Sequence, residues 1–95
     1  MNQTVETQFP FATIQDVEKE VTKAESKFPP FNSAHEGISI IREEFEELWD
    51  HVKVDTGYSH EAYTEATQLA AMAVRYMRMV MNRRVAGRTG EKGTR

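Results

Sequence analysis

From Leu69 to Met81 the chain is apolar around almost the whole circumference of a helix. Leu69, Ala70, Ala71, Met72, Ala73, Val74, Tyr76, Met77, Met79, Val80 and Met81 are interrupted only by Arg75 and Arg78. A helix apolar along one stripe needs one neighbour, whereas one apolar on most sides needs several. The pattern predicts a helix from about His60 to Val85, roughly 39 Å at 1.5 Å per residue. Two other helices of the same chain cover about half of such a surface. A second copy is expected to cover the rest, as a homodimer or a tetramer.

Two amphipathic stretches precede it, and no period-2 strand pattern competes. In the first, Phe11, Ile14, Val17, Val21, Ala24 and Phe28 recur at intervals of three and four, with Thr13 as the expected N-cap. Pro29 and Pro30 end it, because proline has no amide hydrogen and pushes the preceding residue out of helical angles. The second opens on Ser33-Ala34-His35-Glu36, an S-x-x-E capping box, and places Ile38, Ile41, Phe45, Leu48, Trp49 and Val52 on one arc. Asp55, Thr56 and Gly57 read as a turn, and Ser59 caps the third stretch. The fold class is all-α, with three main helices per chain in a bundle completed by homo-oligomerisation. One domain is expected over residues 1–86, with Gly87 ending the third helix and 87–95 forming a flexible basic tail.

Ninety-five residues make one small domain, in which folding hides only roughly 60 to 70% of the unfolded surface. No cysteine is present, which excludes disulfides, thiolate metal sites and Cys nucleophiles. The start, MNQTVETQFP, lacks the form of a signal peptide and no stretch is apolar enough to span a bilayer, so a cytoplasmic protein without a membrane partner is expected. Charge is uneven: residues 1–74 hold 5 Lys/Arg against 14 Asp/Glu, and residues 75–95 hold 7 against 1. The acidic body repels bare phosphate, so nucleotide binding there requires metal cations or arginines as intermediaries. The basic tail has no aromatic residue on which bases could stack, and nucleic acid is not the expected partner.

Glu43, Glu44, Glu46 and Glu47 set four carboxylates within five residues, and helical spacing brings Glu44 and Glu47, or Glu43 and Glu47, to one side. Solvated acidic faces of this kind are common. The alternative is a hard divalent cation, for which carboxylates three or four residues apart supply two oxygen ligands. Glu65 lies on the same stripe as Leu69, Met72 and Tyr76, a carboxylate in an apolar seam that needs a cation, an arginine such as Arg42, or a proton. Gln68, one turn on, could ligate through its carbonyl or hydrogen-bond a substrate. Arg75 and Arg78 could neutralise phosphates or mark exposed ends of the bundle. The capping box accounts for Glu36, and His35 needs no ligand role. No E-x-x-H pair follows the cluster, and there is no P-loop or G-x-S-x-G.

These residues resemble the all-α nucleoside triphosphate pyrophosphatases that include MazG, dimeric dUTPases and phosphoribosyl-ATP pyrophosphatase, in particular the small MazG-like branch. That family carries E-x-x-E and then E-x-x-D on two adjacent helices. Glu44 to Glu47 matches the first half and Glu65 to Gln68 the second, with 17 residues between. FNSAHEG at Phe31–Gly37, IIREEFEELWDHV at Ile40–Val52 and EATQLAAMAVRYM at Glu65–Met77 are also similar to it, and the likeness spans about residues 11–82. The resemblance implies a Mg²⁺-dependent hydrolase, with Mn²⁺ an alternative ion, that cleaves a nucleoside triphosphate between its α- and β-phosphates. Glu44, Glu47 and Glu65 would then be metal ligands, Glu43 a proton acceptor or support, and Gln68, Arg75 and Arg78 substrate contacts. Gln68 stands where the motif has Asp, one anionic ligand fewer. The competing expectation is therefore a catalytically weak or inactive helical oligomer that binds a nucleotide or a protein.

Overall fold

The computed structural model describes residues 12–90, without the side chains of Asp55 and of 86–90. They form α1 (Thr13–Lys27), α2 (Ala34–Asp55) and α3 (His60–Gly90), with no strand among the described residues. The all-α expectation is met. Phe11, expected on the first stripe, lies outside the described residues.

Local chemistry explains most of the boundaries. Ala12, not Thr13, precedes the first helical turn, and no side chain caps it; Thr13 is already helical. The amide of Asp16 bonds to the Ala12 carbonyl instead. Before the two prolines, Phe28 turns extended (φ −130°, ψ 145°) while its amide still closes on Ala24 O. Ser33 Oγ accepts from the Glu36 amide at 3.0 Å. Glu36 in turn accepts from the amide of Asn32, one residue earlier than a standard capping box uses. The α2–α3 turn is left-handed at Thr56 (φ 74°) and Gly57 (φ 82°). A Cβ on Gly57 would lie 2.8 Å from Val52 Cγ2, which gives the glycine a steric as well as a conformational reason. Ser59 Oγ accepts from the Ala62 amide at 3.1 Å and starts α3.

α3 does not stop at Gly87 but continues to Gly90. A glycine ends a helix by turning left-handed, and among the described residues only Thr56 and Gly57 have positive φ. Mid-helix glycine instead costs about 1 kcal/mol relative to alanine without breaking the hydrogen-bond ladder.

α1 and α2 each pack on α3 and not on one another, so α3 is the spine and a groove separates the other two. The core joins Val21 and Ala24 of α1, Phe31 of the connecting loop, and Ala71, Met72 and Met79 of α3, with Ile40, Ile41 and Tyr76 packed against it. Tyr63 of α3 donates a hydrogen bond to Asp16 Oδ2 of α1, and that bond holds its hydroxyl up to about 12.

The α2 arc is the main departure from the expected burial. Ile38, Phe45 and Trp49 are 55%, 54% and 47% exposed, whereas Ile40 and Ile41 turn to the core. α2 meets α3 along Gly37, Glu44 and His51, about a quarter-turn from the arc's centre. This leaves the arc on the flank of the molecule away from α1. Ala66, Ala73 and Met77 of α3 are exposed as well. Within one chain, the three helices leave this face uncovered.

Candidate metal centre

Glu44 and Glu47 are three residues apart on α2 and face α3 at the level of Glu65. One carboxylate oxygen from each of the three lies within 4.8 Å of the others. Glu44 and Glu65 are half-buried and Glu47 is exposed, so the cluster is sheltered on the helix side and open on the other. Burial, then repulsion by Glu47, Glu65 and Glu43, together with a hydrogen bond to Glu47, pushes Glu44 up to about 7. Glu65 is pushed up as well, by burial first and then by its hydrogen bond and repulsion with Glu47, while His51 draws it down.

Gln68 completes the set. In one orientation its amide oxygen faces the Glu44 and Glu65 carboxylates, a crowding that a proton on either carboxyl or a bound cation would relieve. Turned over, its nitrogen donates to Glu44 Oε1 at 3.2 Å and Glu65 Oε1 at 3.3 Å. Hard oxygen donors, two of them carboxyl groups raised by burial and then by neighbouring carboxylates, suit Mg²⁺ or Mn²⁺ far better than a soft metal. Glu44, Glu47 and Glu65 would hold such an ion, with Gln68 able to offer a neutral oxygen.

Glu44 and Gln68 also line a cavity of about 390 Å³ in the groove between α1 and α2, floored by α3, whereas Glu47 and Glu65 do not. Glu43 is on its wall beside Glu44, not within the triad. Lys23 and Lys27 of α1, Phe28, Ile40 and Arg75 also line it.

The two arginines expected at phosphate diverge. Arg78 is held by Glu25 of α1, with Nη1 2.7 and 2.8 Å from the two carboxylate oxygens, and does not line the cavity. Three residues apart, Arg75 and Arg78 lie on neighbouring sides of α3, and of the two only Arg75 turns inward, to 7% exposure.

His51 joins the site without having been expected there: its Nε2 is 4.0 Å from Glu65 Oε2. Its signal was present: Glu44, Glu47 and His51 follow at i, i+3 and i+7, one face of a helix. Lys23 and Lys27 had no comparable signal, because only the packing of α1 on α3 brings them to the cavity. Among the described residues no helix is long and apolar enough to cross a membrane. No family model, curated protein or solved structure gives a significant match to the chain.

Proposed function

We propose that the protein is a Mg²⁺-dependent nucleotide pyrophosphohydrolase, which converts a nucleoside triphosphate to the monophosphate and pyrophosphate in the cytoplasm. The observation that carries this reading is the convergence of Glu44, Glu47 and Glu65, of which Glu44 also lines a cavity of about 390 Å³, a volume suited to a small ligand. The likeness of its two acidic half-motifs to those of the MazG-like pyrophosphatases supports the same chemistry.

Bound at the three glutamates, Mg²⁺ or Mn²⁺ would offset the charge of the phosphates and lower the pKa of water. The chain itself orients the reactants. With its nitrogen turned toward them, Gln68 would orient the Glu44 and Glu65 carboxylates, and Glu43 on the cavity wall can accept a proton. In the reaction the water oxygen bonds to the α-phosphorus and the α–β bridging P–O bond breaks. The bridging oxygen leaves with the electron pair as part of pyrophosphate, and the water's proton passes to a carboxylate.

The exposed flank of Ile38, Phe45, Trp49, Ala73 and Met77 supports a second copy as its cover. It is apolar on both helices, and none of its residues lines the cavity. Such a face completes a four-helix core without obstructing the site.

The test is product analysis with purified protein, a panel of nucleoside triphosphates and Mg²⁺. Equal release of monophosphate and pyrophosphate is expected, and orthophosphate as the first product rejects the assignment. Gln68, neutral where an acid would strengthen the site, favours the second reading, a binding module with weak or no turnover. That reading requires nucleotide binding without product.

A further inference from the structure

The cavity wall carries both signs of charge. Glu43 and Glu44 stand at the carboxylate cluster, Lys23, Lys27 and Arg75 stand further along α1 and α3, and Glu20 and Glu36 complete the wall. Gln68, Met72 and Arg75 follow at i, i+4 and i+7 on α3, so they share one stripe, and Arg75 lies about 10 Å along the axis from Gln68. Lys23 and Lys27 are four residues apart on α1 and so share one face of the helix, with Glu20 one turn before Lys23.

Arg75 is the most telling of the three. The residue is 7% exposed, yet no carboxylate pairs with its guanidinium among the described residues. Its neighbours are the Pro29 carbonyl at 2.8 Å, the Met72 sulfur at 3.6 Å and the face of Phe31, 4.5 Å from ring centre to Cζ. By contrast Arg78 and Arg42, both exposed, have Glu25 and Glu46. A guanidinium has five N–H donors, and a buried cation needs countercharge as well as dipoles. Lys23 and Lys27 make no ion pair among the described residues either. Of the carboxylates on the cavity wall, Glu36 is already committed to the Asn32 amide.

We propose that Arg75, Lys23 and Lys27 form an anion subsite that receives the pyrophosphate half of the nucleoside triphosphate while the α-phosphate lies at the carboxylate cluster. This rests on the reaction proposed above and assigns the direction of the substrate within the cavity. The three cations offset the charge that develops on the departing pyrophosphate and retain it after cleavage, so pyrophosphate is the product that inhibits.

The experiment compares the wild type with the Lys23→Gln/Lys27→Gln double variant, whose changes are on the exposed face of α1 and whose helicity is checked by circular dichroism. Calorimetric titration uses inorganic pyrophosphate and, separately, a nucleoside monophosphate, with and without Mg²⁺. The expected result is about a tenfold weaker pyrophosphate affinity in the double variant, growing smaller at high salt, with monophosphate affinity unchanged. Equal pyrophosphate affinity in the two proteins overturns the subsite. So does a loss confined to the monophosphate, which would put the nucleoside in the cavity instead. Without metal, pyrophosphate reports on the three cations alone. Unchanged affinity there, with Mg²⁺-dependent turnover intact, removes the subsite and leaves the reaction standing. Weakened affinity there, with no turnover by the wild type, keeps an anion site and removes the reaction.

Discussion

Gly37 of α2 and Tyr76 of α3 meet so closely that a Cβ on the glycine would lie 2.7 Å from Tyr76 Cδ2 and 3.0 Å from Phe31 Cδ2. This contact fixes the register of the two helices. Two turns along α2 is Glu44, and just over two turns back along α3 is Gln68, and these side chains meet at 3.2 Å. The backbone approach at Gly37 thus aligns the carboxylates with their partners on the other helix.

Gly37→Ala should therefore destabilise the protein despite alanine's better helix propensity. Overpacking costs about 1–3 kcal/mol and the propensity gain returns about 1 kcal/mol, so a net loss of about 1 kcal/mol is expected in thermal or urea unfolding. A stabilised Gly37→Ala protein would show that Tyr76 yields freely and that the register is set elsewhere.

Protonation of the cluster gives a pH signature. Glu44 has an ordinary value of 4.5 when unfolded and about 7 when folded, so between these values the folded chain holds a proton that the unfolded chain releases. Its contribution to stability is complete below pH 4.5 and is lost as pH rises through 7. Glu65, also raised, acts in the same direction. Mg²⁺ competes with these protons, so the metal-induced rise in Tm should grow from pH 5 to pH 8. A metal effect independent of pH would place the ion away from these two residues.

The uncovered flank predicts self-association. Sedimentation of the wild type should give a dimer or a tetramer, and Phe45→Glu or Trp49→Glu, each buried in the joint core of such an assembly, should shift it to monomer while keeping helicity. A wild type that sediments as a monomer at all concentrations contradicts the proposed cover.

Arg78 and Glu25 join α3 to α1 at the surface. A double-mutant cycle with Arg78→Ala and Glu25→Ala should yield a coupling of about 0.5 kcal/mol, falling with salt, as for other exposed pairs. A coupling several times larger would mean that the pair is shielded from water.

Much of this architecture is legible in the sequence because it is local. Pro29-Pro30, Ser33 with Glu36, and Ser59 act within a few residues, and the helices begin or end at them. The meeting of Glu44 with Glu47 follows from helical spacing. What was not legible depends on which sides of α3 are occupied. The wheel groups Ile38, Phe45 and Trp49 as one apolar face, but the close approach at Gly37 rotates α2 so that Ile40 and Ile41 enter the core. The same packing gives Arg78 to Glu25, buries Arg75 beneath the Pro29 carbonyl and carries Lys23 and Lys27 to the cavity. Gly87 departs from expectation for another reason, since glycine permits a left-handed turn without requiring one.

The central claim is that Glu44, Glu47 and Glu65 together hold one divalent cation. Titration of Mn²⁺ followed by electron paramagnetic resonance tests it most directly, on the wild type and on Glu47→Gln and Glu65→Gln, which keep side-chain size. The account predicts saturable binding by the wild type, displaced by Mg²⁺, and at least about tenfold weaker binding by each variant. Equal Mn²⁺ affinity in all three proteins, or no binding by the wild type, would contradict it.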